Sequence, residues 1–377
     1  MKKYLKLTSQ EAVQYFIHRD GTLIPETTEE IKQKLNDLHF LRSEISVSVT
    51  MPTHRTFPDS DKDIVQLKNL IAEADKKLSI LHDKRKRQVT MENIEEAAGN
   101  IDHRLNLDSL VIYANEHFSS VVKLPVTTNP EVVIDPLFDI RPLYRSRQQN
   151  QHYYILSISR QKIRLFEAFN DKITEEINNE DFPFENNYYT TDPIKLKQDI
   201  FEENLVKEFF NVADKRFRKY LISNPLPIIL AGDTKSVSYY QEMMDHSQTI
   251  IAQVNGNYDN SSQHEIIKAV YPVIEKFREN EQHDYLSEID NARSGNLLSA
   301  DMNEMIEFSL MGNVRALFTG NNYGLEEATV KDSTNKTQKR SKTLLLIENV
   351  RKAGGKIIFL EDKLLEKHNG IVLVKRF

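Results

Sequence analysis

Cysteine and tryptophan are both absent from the 377 residues. The missing cysteines exclude disulfide frameworks, thiol nucleophiles and cysteine-ligated zinc or iron–sulfur centres, and they suit a reducing compartment. No run approaches the roughly 18 consecutive apolar residues of a spanning helix. The opening MKKYLKLTSQEAVQYF turns polar before a signal-type apolar core forms. A cytoplasmic protein without a membrane partner is the expectation. Catalytic signatures are missing too. There is no Gly-x-Ser-x-Gly elbow, and the eleven histidines show no metal-ligand spacing. Around Leu230-Ala-Gly-Asp-Thr-Lys-Ser236, Thr234 and the preceding Ile229 stand where a phosphate-binding loop needs glycine. No metal and no cofactor are expected.

What is present is ordinary globular composition, 39% hydrophobic and 28% charged, with an uneven charge distribution. Residues 331–377 carry twelve Lys/Arg against five Asp/Glu, while the chain as a whole is at −6. Hydrophobic patterning divides the chain into three parts and predicts an α/β protein. In residues 1–135 a helix from Ser9 and a second helix precede the alternating strand Ile45–Met51, which Pro52 stops. Ile64, Leu67, Ile71, Ala74, Leu78 and Leu81 then mark a helix with one apolar seam. The basic run Lys84–Arg87 leads into a polar helix, followed by strands Ser109–Tyr113 and Val121–Leu124. Pro125, Pro130 and Pro136 predict an extended boundary.

In residues 150–280, Tyr153–Ile158, Lys162–Ala168 and Lys172–Ile177 read as a meander. Asp192-Pro193 then starts a helix that runs to about Leu221. The strand Pro227–Ala231, a helix from Ser236, the strand Thr249–Val254 and a helix from Ser262 to about Arg278 follow. This order of elements is that of ribonuclease H-like folds. Residues 285–377 read as a small α/β/α domain. It has a helix Ser299–Met311 stopped by Gly312, a strand Val314–Phe318 and a polar loop Asn321–Lys339. A helix Ser341–Ala353 and strands Lys356–Leu360 and Ile371–Val374 complete it.

Several segments in this order carry a family resemblance: Val47–Arg55 (VSVTMPTHR), Asp63–Leu78, Phe138–Leu143 (FDIRPL), Tyr154–Phe166, Ile228–Gly232, Gly312–Phe318 and Gly355–Phe377. Together they resemble the bacterial relatives of archaeal and eukaryotic peptide release factors, a group also related to the ribosome-rescue protein Pelota. The resemblance implies an N-terminal domain facing the decoding region and a ribonuclease H-like middle domain reaching the peptidyl transferase centre. It also implies a C-terminal domain of the kink-turn-binding ribosomal-protein type that contacts partners, a translational GTPase among them.

One departure changes the functional expectation. Release factors of this lineage carry Gly-Gly-Gln in the middle-domain loop after the meander, where the glutamine positions water at the ester. Here the loop Asn178–Asp192 has neither glycine nor glutamine, and the chain's sole Gly-Gly, at Gly354-Gly355, reads as a helix stop. The expectation is a non-hydrolytic A-site-binding factor of the hibernation or rescue type, with the ribosome rather than DNA as partner. Two alternatives stand beside it: a hydrolase of RNA or peptidyl-tRNA using other residues, and a protein–protein interaction module that does not bind ribosomes. A metal-dependent nuclease finds little support, because the first middle strand has no carboxylate and only Asp233 ends a later one.

Candidate contacts with ribosomal RNA are Arg55, Lys84, Arg85, Lys86, Arg87, Lys215, Arg216, Arg218 and Lys219, supplemented by Arg141, Arg145, Arg147, Arg160 and Arg164. Phe182, Phe184, Tyr188 and Tyr189 offer rings for nucleobase stacking at the peptidyl transferase centre, or for packing on their own domain. Thr53 and His54 are candidates for the decoding region, or a simple turn. Lys336, Lys339, Arg340 and Lys342 form a candidate partner loop.

Overall fold

The computed structural model describes residues 38, 41, 43–55, 58–80, 84–149, 151–187, 199–244, 249–325, 327–331 and 337–377. Side chains at 199–203, 327–331 and 337–340 are excepted. The helices expected before Ile45, the Asp192 helix start and Leu81 lie outside these residues. By packing, the chain forms two compact units, one of 1–149 with 285–377 and one of 150–284.

The first unit begins with β1 (Ser46–Pro52), α1 (Ser60–Leu78), α2 (Lys84–Gly99), β2 (Ser109–Asn115), β3 (Phe118–Leu124), β4 (Glu131–Asp135) and α3 (Arg141–Gln149). The strands make an antiparallel sheet in the order β3-β2-β1-β4. Strict alternation in β1 sends Val47, Val49 and Met51 to the face that α1 and α2 cover. Val111 and Tyr113 of β2 point the other way, to Phe138, Ile140 and Leu143. The expected boundary at the prolines is instead a strand of this sheet. Pro130 and Pro136 flank β4, outside the ladder, where a missing N–H costs nothing. The seam of α1 is also rotated from expectation. Asp63 and Leu70 are buried together with Leu67, Ala74 and Leu78, while Ile64 is 39% exposed.

The second unit contains β5 (His152–Ile158), β6 (Lys162–Phe169), β7 (Lys172–Glu176), β8 (Phe184–Glu185), α4 (Asp199–Ser223), β9 (Ile228–Gly232), α5 (Thr234–Met243), β10 (Ile250–Asn255) and the start of α6 (Gln263–Ser294). Its sheet runs β10-β9-β5-β6-β7, with β8 on β6. The meander is antiparallel, and β9 lies parallel to both β5 and β10. Because such strands are buried on both faces, β9 reads as the continuous apolar run Ile-Ile-Leu-Ala. Aromatic residues of α4 and α5 cover one face and the start of α6 covers the other. Gly232 is required by close approach, because a Cβ there would collide with the Ile158 carbonyl. A capping box, Ser262 with Glu265, opens α6. This helix continues well past Arg278 and passes through Pro272.

From Tyr285 the helix belongs to the first unit, with β11 (Leu298–Ser299), α7 (Met302–Leu310), β12 (Ala316–Gly320), β13 (Glu327–Lys331), β14 (Thr337–Ser341), α8 (Lys342–Lys352), β15 (Lys356–Leu360) and β16 (Ile371–Val374). The sheet order is β11-β16-β12-β15. Gly312 stops α7 with φ +73°, as the sequence predicts. The expected polar loop 321–339 contains the hairpin β13–β14, whose β-branched Thr329, Val330 and Thr337 suit a strand. Contacts from Asp135 of β4 and Gln148 of α3 tie this part to the first sheet and its following helix. Asp135 Oδ2 accepts from the Ser341 N–H at 2.7 Å, and the Gln148 amide bonds both the N–H and the carbonyl of Phe359.

Candidate functional site

The turn after β1 is built around a buried acid. The Thr53 hydroxyl donates to the Leu107 carbonyl at 2.8 Å and its N–H to Asp108 O, which holds this residue inward. Asp63, in the first turn of α1, is fully buried. Its carboxylate accepts from the His54 N–H at 2.9 Å, from the His54 ring at Nδ1 at 2.7 Å and from Asn106 Nδ2 at 2.8 Å. Three donors and the positive end of the helix dipole compensate the burial of this charge. An ionised carboxylate only accepts, so Nδ1 carries the proton and Nε2 is the ring atom left for other partners. The His54 side chain is 48% exposed. Beside it, Arg55 forms a two-pronged pair with Asp108 at 2.7 and 2.6 Å. Sequence reasoning found Thr53, His54 and Arg55 but missed Asp63, Asn106 and Asp108. An acid in the first turn of a helix that follows a His is the signal that was available.

The loop after the meander turns its aromatic rings inward. Phe182 is fully buried and Phe184 is 9% exposed, so neither ring is placed to stack on a nucleobase, which corrects that expectation. Phe182 meets Tyr220 and Phe184 stacks on Phe209 at 4.9 Å, both partners from α4. The physical reason is that a helix lying over a sheet leaves an apolar margin, and these rings close it. Arg216 lies over the Phe184 ring at 4.0 Å and donates to the Glu180 and Asp181 carbonyls. Lys219 pairs with the Asp181 carboxylate at 2.9 Å. Tyr188 and Tyr189 lie outside the described residues.

The other basic candidates divide in the same way. Lys84–Arg87 form the first turn of α2, where Lys86 pairs with Glu44 at 2.6 Å and Arg87 with Asp75 at 2.8 Å, while Lys84 and Arg85 are exposed. Lys215 is exposed and Arg218 half-buried. Arg141 is a structural residue, which corrects its reading as a phosphate ligand. It bonds Asp139, Glu131 and the Tyr323 carbonyl, beside a recess of about 280 Å³ that Thr50 and Arg145 also line. Burial alone would lower the Arg141 pKa, yet the two carboxylates raise it. Arg164 is likewise engaged, by Glu176. Lys342 donates to Asn303 at 2.9 Å, Lys339 and Arg340 lie in β14, and Lys336 is outside the described residues. Asp233 caps α5 through the N–H groups of Lys235 and Ser236. Burial pushes its carboxyl up, but the bonds from Ser236 and Lys235 bring it below the ordinary value. Among the described residues no group of three or more His, Asp or Glu is placed to hold a metal ion. Among them, too, no helix is long and apolar enough to cross a membrane.

No curated protein matches this chain in sequence. Several solved structures are similar at low identity, among them the following three. An archaeal translation termination factor is 14% identical, with 93% of this chain and 98% of that one covered and a TM-score of 0.25. The S. cerevisiae termination-like factor Dom34 is 12% identical, with 94% of each chain covered and a TM-score of 0.42. The archaeal Pelota in a ribosome-bound assembly is 12% identical, with 97% and 99% covered and a TM-score of 0.38. Residues 152–313 match the model of bacterial archaeo-eukaryotic release factor family 3.

Proposed function

We propose that this protein is a non-hydrolytic translation factor that occupies the ribosomal A site and keeps ribosomes in a hibernating or rescue state. The observation that carries the reading is a release-factor segment without the means of release. Within the matched residues 152–313, the loop Asn178–Asn187 has no glycine and no glutamine. Arg216, Lys219 and two buried rings fasten this loop to its own helix. An ester needs a positioned water-directing group to be hydrolysed there, and that group is missing from this loop.

The strand order β10-β9-β5-β6-β7, with an antiparallel meander followed by parallel strands, supports a ribonuclease H-like middle domain over 150–280. Residues 1–135 and 285–377 take the decoding-side and partner-side roles, the latter as a kink-turn-binding ribosomal-protein-like domain. Exposed Lys84, Arg85 and Lys215 supply phosphate contacts, each adding roughly 0.7–0.9 to the slope of log affinity on log salt. The segment with Lys336, Lys339, Arg340 and Lys342 is the proposed contact for a translational GTPase in the cytoplasm. The test is sedimentation with ribosomes at low and high salt, paired with a peptidyl-tRNA release assay. Retention at low salt, loss at high salt and no release are the expected results. Absence of retention, or release of nascent peptide by the protein alone, overturns the reading.

A further inference from the structure

We propose that the recess of the first unit bounded by β1, α3 and the turn after β12 binds a small organic anion of single charge, a carboxylate or a phosphodiester. The site does not depend on the ribosome-binding reading above. Its key groups are placed by the alternation of a strand and the pitch of a helix. Val49 and Met51 of β1 face the helices, so Thr50 between them turns to the other side of the sheet, where it lines the recess. Arg141 and Arg145 are four residues apart on α3, share a face and line the same space. The two arginines differ in what they meet. Arg141 takes up the acids of the recess, Asp139 at 2.8 Å and Glu131 at 2.9 Å, and bonds the Tyr323 carbonyl as well. Half-buried Arg145 has no ion pair among the described residues. One of its N–H groups donates to the Thr127 carbonyl at 3.1 Å, and its Nε is buried without an acceptor among those residues. Burial holds this guanidinium below the ordinary arginine value, with Asp362 and Asp139 opposing through space and Arg141 adding to it. Thr50 is 3% exposed, and its hydroxyl also meets no partner among the described residues.

A buried hydroxyl and a half-buried guanidinium without acceptors cost stability in the empty protein, and the oxygens of a bound anion supply what is missing. Charge limits that anion. Two cations and two acids line the recess and Arg141 holds both acids, so one negative charge can be set against Arg145, while a second would face Glu131 and Asp139. Size and lining set the rest. About 280 Å³ lies near the lower end of ligand pockets, roughly 300–1,000 Å³, and is more than a bare inorganic anion fills. Pro130, Pro142, Tyr323 and Phe359 add apolar wall, which suits an anion with a ring or other apolar body. The turn after β12 is already fixed in place. Asn129 Nδ2 donates to Asn322 Oδ1 at 3.1 Å, and Asp362 accepts from the Asn322 N–H and side-chain amide at 3.0 and 2.6 Å.

The experiment is isothermal titration calorimetry of the full chain near neutral pH with hippurate, a carboxylate, and with cyclic AMP, a phosphodiester. Uncharged hippuramide and doubly charged AMP are the respective comparisons. Saturable binding of hippurate or cyclic AMP is expected, and which of them binds identifies the source of the oxygens. The matching comparison compound should bind about tenfold more weakly. Arg145→Gln should weaken binding about tenfold, since a charge-assisted contact is lost. Thr50→Val should weaken it too, yet raise the unfolding temperature of the free protein, because a hydroxyl without an acceptor is removed. Circular dichroism shows whether each variant folds. Absence of saturable binding by both hippurate and cyclic AMP overturns the site. So does binding that is equal for the comparison compound, or unchanged in Arg145→Gln, with Thr50→Val deciding if Arg145→Gln does not fold. Each of these outcomes leaves the ribosome reading intact.

Discussion

The turn Thr53–Arg55 and the loop Asn178–Asn187 both leave a β-strand, and both carry residue types suited to RNA. They end in opposite situations. In the turn, the acid is buried and the histidine is half-exposed, because Asp63 finds three donors, two from His54 and one from Asn106. In the loop, the rings of Phe182 and Phe184 are buried, and Arg216 and Lys219 of α4 are engaged by the loop's carbonyls and by the Asp181 carboxylate. The lesson is that residue type sets which contacts are possible, while the local supply of partners decides which are left over for another molecule.

The strongest way to break this comparison is Phe182→Ala. Loss of a fully buried ring from the core of the second unit is expected to cost about 3–5 kcal/mol, read by urea unfolding followed by circular dichroism. If unfolding is unchanged and ribosome retention falls instead, the ring is a contact surface and the contrast between the two segments disappears. A smaller effect is expected from Arg216→Ala, which removes a cation–π contact and two bonds to backbone carbonyls. A loss of about 1–2 kcal/mol on the same measurement is expected, with faster proteolysis within 178–187. The smallest is Arg55→Ala. Its pair with Asp108 is partly exposed, with side-chain exposures of 46% and 33%, so stability should change by less than about 1 kcal/mol. A larger loss would mean that Arg55, and not Asp63, organises the turn.

Much of the fold is legible wherever the signal is local. The alternation of β1 and the Gly312 stop each need only a few neighbouring residues, and each occurs where the sequence predicts it. The phase of α1 was less legible, because Ile64 and Ile71 complete an apolar spacing as convincingly as Leu70 does. Burial of Asp63 depends on Asn106, 43 residues away. Arg141 is harder still, since one of its partners is the Tyr323 carbonyl, 182 residues on. The hairpin β13–β14 was hidden by polar composition, which loops and short two-stranded ribbons share.

By itself, the sequence determined the elements with strong local signals, such as β1, β5, β6 and β9 and the stop at Gly312, and the absence of Gly-Gly-Gln from the meander loop, since these are properties of short stretches of chain. Tertiary structure decided which charges are spent and which remain available. An arginine beside two acids and a histidine beside one look equally reactive in sequence, and only long-range packing determines that Arg141 is enclosed while the His54 ring stays half-exposed on Asp63.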